Sequence, residues 1–274
     1  MPQPTSAFAL GFSWFKDSCR ILKLQPFAYT GIVVFTLLMS AALSNIPFVG
    51  TLLASLWMPF AGVLTGFAAR DVLAGRTPVF LTLFAVFRDK PSRWPLLTVG
   101  IIASIWMSID LMIFDLLGRE MLAKWKITAD GVDLESIVSN FPFEAAAAAI
   151  ILYLPLLMMT LFAPLLIVQN RQTALKSLFY SFFGTLRSIG PCLVWVLSVA
   201  ALAFIVFLTV ESISLAAGGL MFFTFASPLL IAVFSTLCQA GIWVMFRDIF
   251  AQSRRDGVMP SDLDSDRAPP AGWR

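Results

Sequence analysis

Histidine is missing from this 274-residue sequence, which also contains only three cysteines. Without histidine the chain lacks the commonest general base and the commonest metal ligand, so Ser–His and Cys–His nucleophile pairs are excluded. The cysteines lie far apart and form no CxxC pair, which argues against a disulfide framework and a zinc site. We therefore expect neither a metal ion nor a cofactor.

Charged residues are scarce as well. They make up 13% of the chain and hydrophobic residues 59%, whereas soluble domains have about 25% charged and roughly 45–50% apolar residues. So few charges cannot form a polar shell around the apolar segments, and we expect those segments to face lipid. The net charge of +3 is spread over short loops, so nucleic acid is not an expected partner.

The apolar residues form six runs, each long enough to cross about 30 Å of hydrocarbon. The first run begins late and is not followed by a small-residue cleavage pattern, so we expect it to stay as an anchor. The sequence predicts an all-α polytopic membrane protein. Its predicted spans cover residues 27–43, 49–69, 95–117, 143–168, 191–209 and 220–246.

The basic residues predict the orientation of these spans. Of the 19 lysines and arginines, 16 lie before the first span, after the sixth, or in the loops after the second and fourth. Because such residues concentrate on the cytoplasmic side, both termini are predicted to be cytoplasmic. The exceptions, which fall on the other side, are Arg119, Lys124 and Lys126.

Three amphipathic segments on the basic side are too short or too polar to span the membrane, at about residues 6–24, 78–90 and 172–188. Each has an aromatic face at three-and-four spacing, which predicts a helix lying in the interface with its aromatic side toward lipid. The residues of these three faces are Phe8, Phe12, Phe15, Cys19 and Leu22; Phe80, Leu83, Phe84 and Phe87; and Leu175, Leu178, Phe179, Phe182, Phe183 and Leu186.

Prolines divide the chain into three similar units. Each amphipathic segment is followed by a proline that can begin a span and then by a helix hairpin whose second helix carries another proline. We therefore predict one membrane domain over residues 1–250, built from three hairpins, each preceded by a surface helix. The polar, proline-containing residues 251–274 are predicted to form a disordered cytoplasmic tail.

Three short motifs, GFSWF at residues 11–15, QPFA at 25–28 and RDVLAG at 70–75, mark this layout. With them the chain resembles a family of uncharacterised proteobacterial inner-membrane proteins. More loosely, it is similar to the membrane domains of membrane-anchored glycerophosphodiester phosphodiesterases. The resemblance implies a six-helix layout in the bacterial inner membrane and supplies no catalytic residue.

Four acids form a candidate polar site: Asp110, Asp115, Glu144 and Glu211. A carboxylate inside a span is a functional candidate because its charge is costly there. Asp110 is the deepest, and the alternatives for it are a polar cavity or an outer-leaflet or interhelical hydrogen bond. Apart from hydroxyls, the inner halves of the spans offer Gln239 and the boundary residues Gln169 and Asn170 as polar groups.

Two further groups of residues point to contacts rather than chemistry. Gly62 and Gly66 match a small-xxx-small pattern that lets helix backbones approach closely, within the chain or between two copies. Basic residues beside the amphipathic segments are candidate contacts for anionic headgroups. These are Arg20, Lys23, Arg88, Lys90, Arg93, Lys176 and Arg187.

These observations support three hypotheses. The first is a non-enzymatic inner-membrane protein that binds lipids or a membrane partner, either another protein or a second copy of itself. The second is a small transporter or channel that uses Asp110. The third, an intramembrane lipid-modifying enzyme, would need an acid and a base that the spacing does not locate.

Overall fold

The chain is an all-α polytopic membrane protein, as the sequence predicts. A computed structural model describes residues 6–80, 84–128, 131–217 and 220–255. Six helical segments within these ranges are long and apolar enough to cross a membrane. The elements are α1 Ala7–Leu24, α2 Pro26–Ser44, α3 Gly50–Leu73, α4 Ala85–Arg88, α5 Lys90–Leu122, β1 Ile127–Thr128, β2 Gly131–Val132, α6 Leu134–Ser139, α7 Phe143–Thr160, α8 Ala163–Asn170, α9 Ala174–Arg187, α10 Ile189–Ala217 and α11 Leu220–Arg255.

The spans are α2 and α3, α5 and α7 with α8, and α10 and α11, which form three hairpins. In the most apolar stretch of each span, the second helix of a hairpin buries 61%, 39% and 44% of its residues, and the first only 22%, 22% and 11%. The second helices therefore form the centre of the bundle. The first helices present most of their apolar side chains to the surroundings, which suits contact with lipid tails.

The three central helices run in the same direction. Gly66 of α3 packs on Leu165 of α8, and Phe67 of α3 packs on Trp243 of α11. Each carries an arginine toward the same end of the bundle: Arg70 in the last turn of α3, Arg171 just after α8, and Arg247 in the last third of α11. We call this the basic end of the bundle, and the opposite one, which carries the loop between α5 and α7, the far end.

The fourth span is broken where the sequence predicts one continuous helix over residues 143–168. α7 ends at Thr160 and α8 begins at Ala163, because Pro164 has no N–H and its ring crowds the preceding turn. The hydroxyl of Ser181 on α9 occupies the break. It donates to the carbonyl of Met158 at 2.7 Å and accepts from the N–H of Phe162 at 3.0 Å. A side chain thus replaces one helical hydrogen bond inside the bundle.

Each amphipathic segment packs on a hairpin other than the one it introduces. α1 packs mainly on α10 and α11, and α9 packs mainly on α7 and α8. Between α3 and α5, the ring of Phe84 lies 6.1 Å from that of Phe35 on α2, and the ring of Phe87 lies 4.7 Å from that of Phe60 on α3. The three hairpins are therefore linked in a cycle by the amphipathic segments that precede them.

The helix observed in the middle segment is short. It is α4, which has four residues. The next helix, α5, begins at Lys90, five residues earlier than the predicted span. Residues 81–83 of the predicted helix lie outside the described residues, as does Leu83 of its aromatic face. Most of the predicted tail, residues 256–274, also lies outside them.

Candidate functional site: an intramembrane cavity and the basic end

A cavity of about 290 Å³ lies between the first two hairpins. Its back wall is apolar and buried, formed by Pro59, Val99, Leu156 and Leu165 among others. The exposed residues of its lining are Leu37 on α2, Met58 on α3, and Tyr153 and Leu157 on α7. The cavity therefore opens sideways, between α2 and α7, toward the space that lipid tails occupy.

One amide group lies at the end of this cavity that is nearer the basic end. The Oγ1 atom of Thr65 lies 3.1 Å from the Oε1 atom of Gln239, which lines the cavity. The hydroxyl of Thr65 carries one proton and lies near a second acceptor, the carbonyl of Ala61 at 3.0 Å, so it donates to one of the two at a time. Within the part of the chain that the structure describes, the amide nitrogen of Gln239 has no protein partner and remains free to donate.

Asp110 is buried but does not line the cavity. It lies on α5 between two contacts with α7, one from the indole of Trp106 to the carbonyl of Leu152 at 3.0 Å and one at Gly118. Only 7% of Asp110 is exposed, and its Oδ1 atom has no hydrogen-bond partner among the described residues. The lining residue closest to it in sequence on α5 is Met107, about one turn nearer the basic end.

The other three predicted acids are exposed. Asp115 lies 4.0 Å from Arg119, one turn further along α5, and both side chains are mostly exposed. Glu144 lies in the first turn of α7, and Glu211 lies near the end of α10. Among the described residues, no three histidine, cysteine or acidic side chains form a group able to hold a metal ion.

Most of the predicted headgroup contacts are on the surface of the basic end. Arg93 is half-buried, with its guanidinium 5.8 Å from the ring centre of Trp94. The remaining residues of this group are exposed: Arg20, Lys23, Arg88, Lys90, Lys176 and Arg187.

Other charged residues at the basic end form ion pairs, and the sequence indicates only some of these pairs. The neighbours Arg70 and Asp71, an Arg-Asp dipeptide that recurs at Arg247 and Asp248, form an ion pair at 3.1 Å. Arg171 pairs with Asp89 and also donates to Ser92 at 3.0 Å, which joins the end of α8 to the start of α5. No local sequence pattern signals this second contact, because its partners lie about 80 residues apart.

Gly62 and Gly66 lie where α3 meets α8. A β-carbon at Gly66 would stand 2.6 Å from Cδ2 of Leu165, so a larger residue there would require the Leu165 side chain to move. One at Gly62 would meet Pro164 at 3.8 Å, and Gly62 also lines the cavity. This pair therefore packs helices within the chain.

Comparison with known proteins agrees with the membrane assignment. The chain is 29% identical over 199 residues to a protein of Burkholderia thailandensis named as a probable inner membrane protein, covering 70% of this chain and 73% of that one. No known family profile matches the sequence, and no solved structure matches it. The looser likeness to glycerophosphodiester phosphodiesterase membrane domains finds no support in these comparisons.

Proposed function

We propose that this protein is a non-enzymatic component of the bacterial inner membrane that binds anionic phospholipid at its basic end. The name of the Burkholderia relative supports the location. The concentration of basic residues at one end supports a cytoplasmic position for that end and for both termini.

The exposed apolar face of α9 is the observation that carries this proposal. Leu175, Phe179 and Phe183 are 73%, 58% and 49% exposed, while Ser177 and Ser181 on the opposite face are fully buried in the protein. The helix therefore cannot turn its aromatic face inward without losing the bonds of Ser181 to the broken span. An aromatic face fixed outward beside basic residues favours a place among lipid headgroups.

α1 offers a second surface of the same kind. Phe8 is 66% exposed and Phe12 is 37% exposed, and the ammonium of Lys16 lies 4.7 Å from the ring centre of Phe12. Arg20 and Lys23 are exposed on the same helix. Each lysine or arginine close to an anionic surface contributes on the order of 1 kcal/mol, so several together give selectivity for anionic lipid.

Native mass spectrometry of the purified protein with added phosphatidylglycerol tests this proposal. The triple variant Arg20→Gln, Lys23→Gln and Lys176→Gln should lower the binding constant by roughly 100-fold if each charge contributes about 1 kcal/mol. Phosphatidylethanolamine, which carries no net charge, should bind equally to both forms.

A matched control removes the same charge from the far end. The triple variant Arg119→Gln, Lys124→Gln and Lys126→Gln should bind phosphatidylglycerol as the unchanged protein does. Equal losses in the two triple variants would reduce the effect to net charge, and no loss in the first would refute the proposal.

Asp110 supports a second candidate, a small cation transporter. Its buried carboxyl group, whose Oδ1 atom has no hydrogen-bond partner among the described residues, is costly in a membrane, and this cost makes it a functional candidate. Uptake of protons or sodium ions into proteoliposomes that is lost in Asp110→Asn would favour this candidate. Absence of uptake by the unchanged protein would remove it.

A further inference from the structure

We propose that the cavity between the first two hairpins binds one acyl chain of a membrane phospholipid, with the amide of Gln239 donating to its ester carbonyl. This site is independent of the headgroup contacts at the basic end, because it uses other residues and a different part of the lipid.

The direction of the opening limits what can enter. The exposed lining residues Leu37, Met58 and Leu157 border an opening that faces the lipid side of the spans. A ligand that reaches the cavity from there must already be dissolved in the hydrocarbon. The buried back wall is apolar as well, so the occupant is an apolar group rather than an ion or a sugar.

The shape of the cavity favours a chain. Its lining runs from Val99 to Met107 on α5 and from Ser55 to Gly62 on α3, about 12 Å and 10 Å at 1.5 Å per residue. The cavity is thus elongated along the helices, parallel to the neighbouring lipid chains. Its volume of about 290 Å³ is at the lower limit of ordinary ligand pockets, which suits one chain rather than a folded molecule.

Gln239 gives the site a polar end at a suitable depth. It precedes Arg247 by eight residues on α11, about 12 Å, and Thr65 precedes Arg70 by five residues on α3, about 8 Å. This places the amide below the charged groups of the basic end, on the side from which a lipid chain descends. A donor left without a protein partner in an apolar cavity is stabilised when a ligand carbonyl accepts from it.

Photolabelling in nanodiscs of phosphatidylethanolamine and phosphatidylglycerol tests the proposal, using a phospholipid that carries a diazirine in the middle of one acyl chain. Val99 and Leu156 are 1% and 4% exposed, so ordinary bilayer lipid does not reach them. We expect labelled peptides to include these two residues. Ile150 and Ile151, which are 60% and 68% exposed on α7, provide the reference labelling by bulk lipid.

Ala103 lines the cavity, so Ala103→Phe should fill it and lower labelling of Val99 and Leu156 at least fivefold relative to the reference. The matched control Ala147→Phe adds the same ring to an exposed position of α7 and should change nothing. Equal labelling of Val99 and Leu156 in both variants, or none in the unchanged protein, would overturn the proposal.

The variant Gln239→Leu tests the polar end without adding bulk, and it carries the test if Ala103→Phe does not fold. We expect about threefold lower labelling of Val99 and Leu156, because the ester loses its donor. Unchanged labelling would overturn the role of Gln239. A diazirine fatty acid that labels these residues more strongly than the phospholipid would overturn the choice of phospholipid as the ligand.

Discussion

α1 and α9 have similar compositions and both lie at the basic end, yet different interactions hold them to the bundle. α1 is held by charged and aromatic groups: Trp14 donates to Asp248 at 3.0 Å, and Asp17 pairs with Arg247 at 2.9 Å. α9 is held by the hydroxyl of Ser181, which bonds to the main chain of the broken fourth span.

This difference gives the two polar contacts different roles: the ion pairs of α1 help to attach that helix, and the hydroxyl of α9 is part of the structure of the fourth span. The charged groups of α1 remain partly exposed, so water can solvate them if the helix detaches, and their contribution to its attachment should be small and sensitive to salt. Ser181 instead bonds to two main-chain groups of the fourth span, and Phe162, which contributes one of them, is fully buried. Removing the hydroxyl leaves the N–H of Phe162 unpaired in an apolar interior, so α9 helps the fourth span to keep its shape.

The largest effect is therefore expected for Ser181→Ala. It leaves the N–H of Phe162 without its partner and the carbonyl of Met158 with only the more distant hydroxyl of Thr185 at 3.5 Å. At about 1–3 kcal/mol for each affected group, we expect a loss of about 2–4 kcal/mol in the free energy of unfolding. Reversible unfolding by SDS in mixed micelles measures it. Ser198→Ala, which removes only a bond to its own helix at the carbonyl of Val194, should cost less than 1 kcal/mol. Equal losses would contradict a special role for Ser181.

Trp14→Phe should have the next largest effect. The indole of Trp14 is fully buried and donates to a carboxylate, so its loss should lower the free energy of unfolding by about 1–3 kcal/mol. Trp94→Phe is the matched control, because that indole is 67% exposed. The same micelle unfolding measures both, and a smaller loss for Trp14→Phe than for Ser181→Ala supports the contrast between the helices. An equal or larger loss would remove that contrast.

The sequence predicts the spans well because hydropathy distinguishes lipid from water. It predicts the faces of α1 and α9 less well, because inside a membrane both lipid and protein are apolar. The stripe of α1 that packs on the bundle contains Gly11, Trp14, Ser18 and Ile21, between the aromatic and charged faces that the pattern separates. Close packing selects it: Gly11 lies against the main chain of Pro191, and Ser18 accepts from the indole of Trp195.

The hydroxyl face of α9 has a similar explanation. Ser177 and Ser181 indicate a face toward water when hydropathy alone is considered, but both are fully buried. Ser181 is buried because the break in the fourth span leaves main-chain groups that need partners, whereas Ser177 bonds within its own helix to the carbonyl of Ala174 at 2.7 Å. The cavity could not be predicted either, because it lies between hairpins whose relative positions no local pattern gives. In the sequence, the cavity is indicated only by Gln239, an amide side chain within a predicted span.

Asp17→Asn should have a small effect on α1. Its carboxylate and the guanidinium of Arg247 are 33% and 41% exposed, so the pair should contribute less than 1 kcal/mol and contribute less still in high salt. Unfolding in mixed micelles at about 50 mM and 500 mM salt measures the difference. Asp115→Asn, which removes the exposed pair with Arg119 at the far end, is the control and should change stability even less. A loss of several kcal/mol would mean that α1 is as integral to the fold as α9.

The smallest expected effect concerns the thiol of Cys19, which is partly buried against the bundle on α1. Burial raises the pKa of Cys19 above its ordinary value, and the charge of Lys23 offsets this only in part. A raised pKa lowers the thiolate fraction at any given pH, so maleimide should react slowly near pH 8 and faster as the pH rises. The rate is measured with Cys192→Ser and Cys238→Ala in place, which leave one thiol. Moving that thiol to the exposed face of α1, with Cys19→Ser and Ser13→Cys, should restore an ordinary rate at pH 8. Equal rates at both positions would show that α1 detaches readily from the bundle.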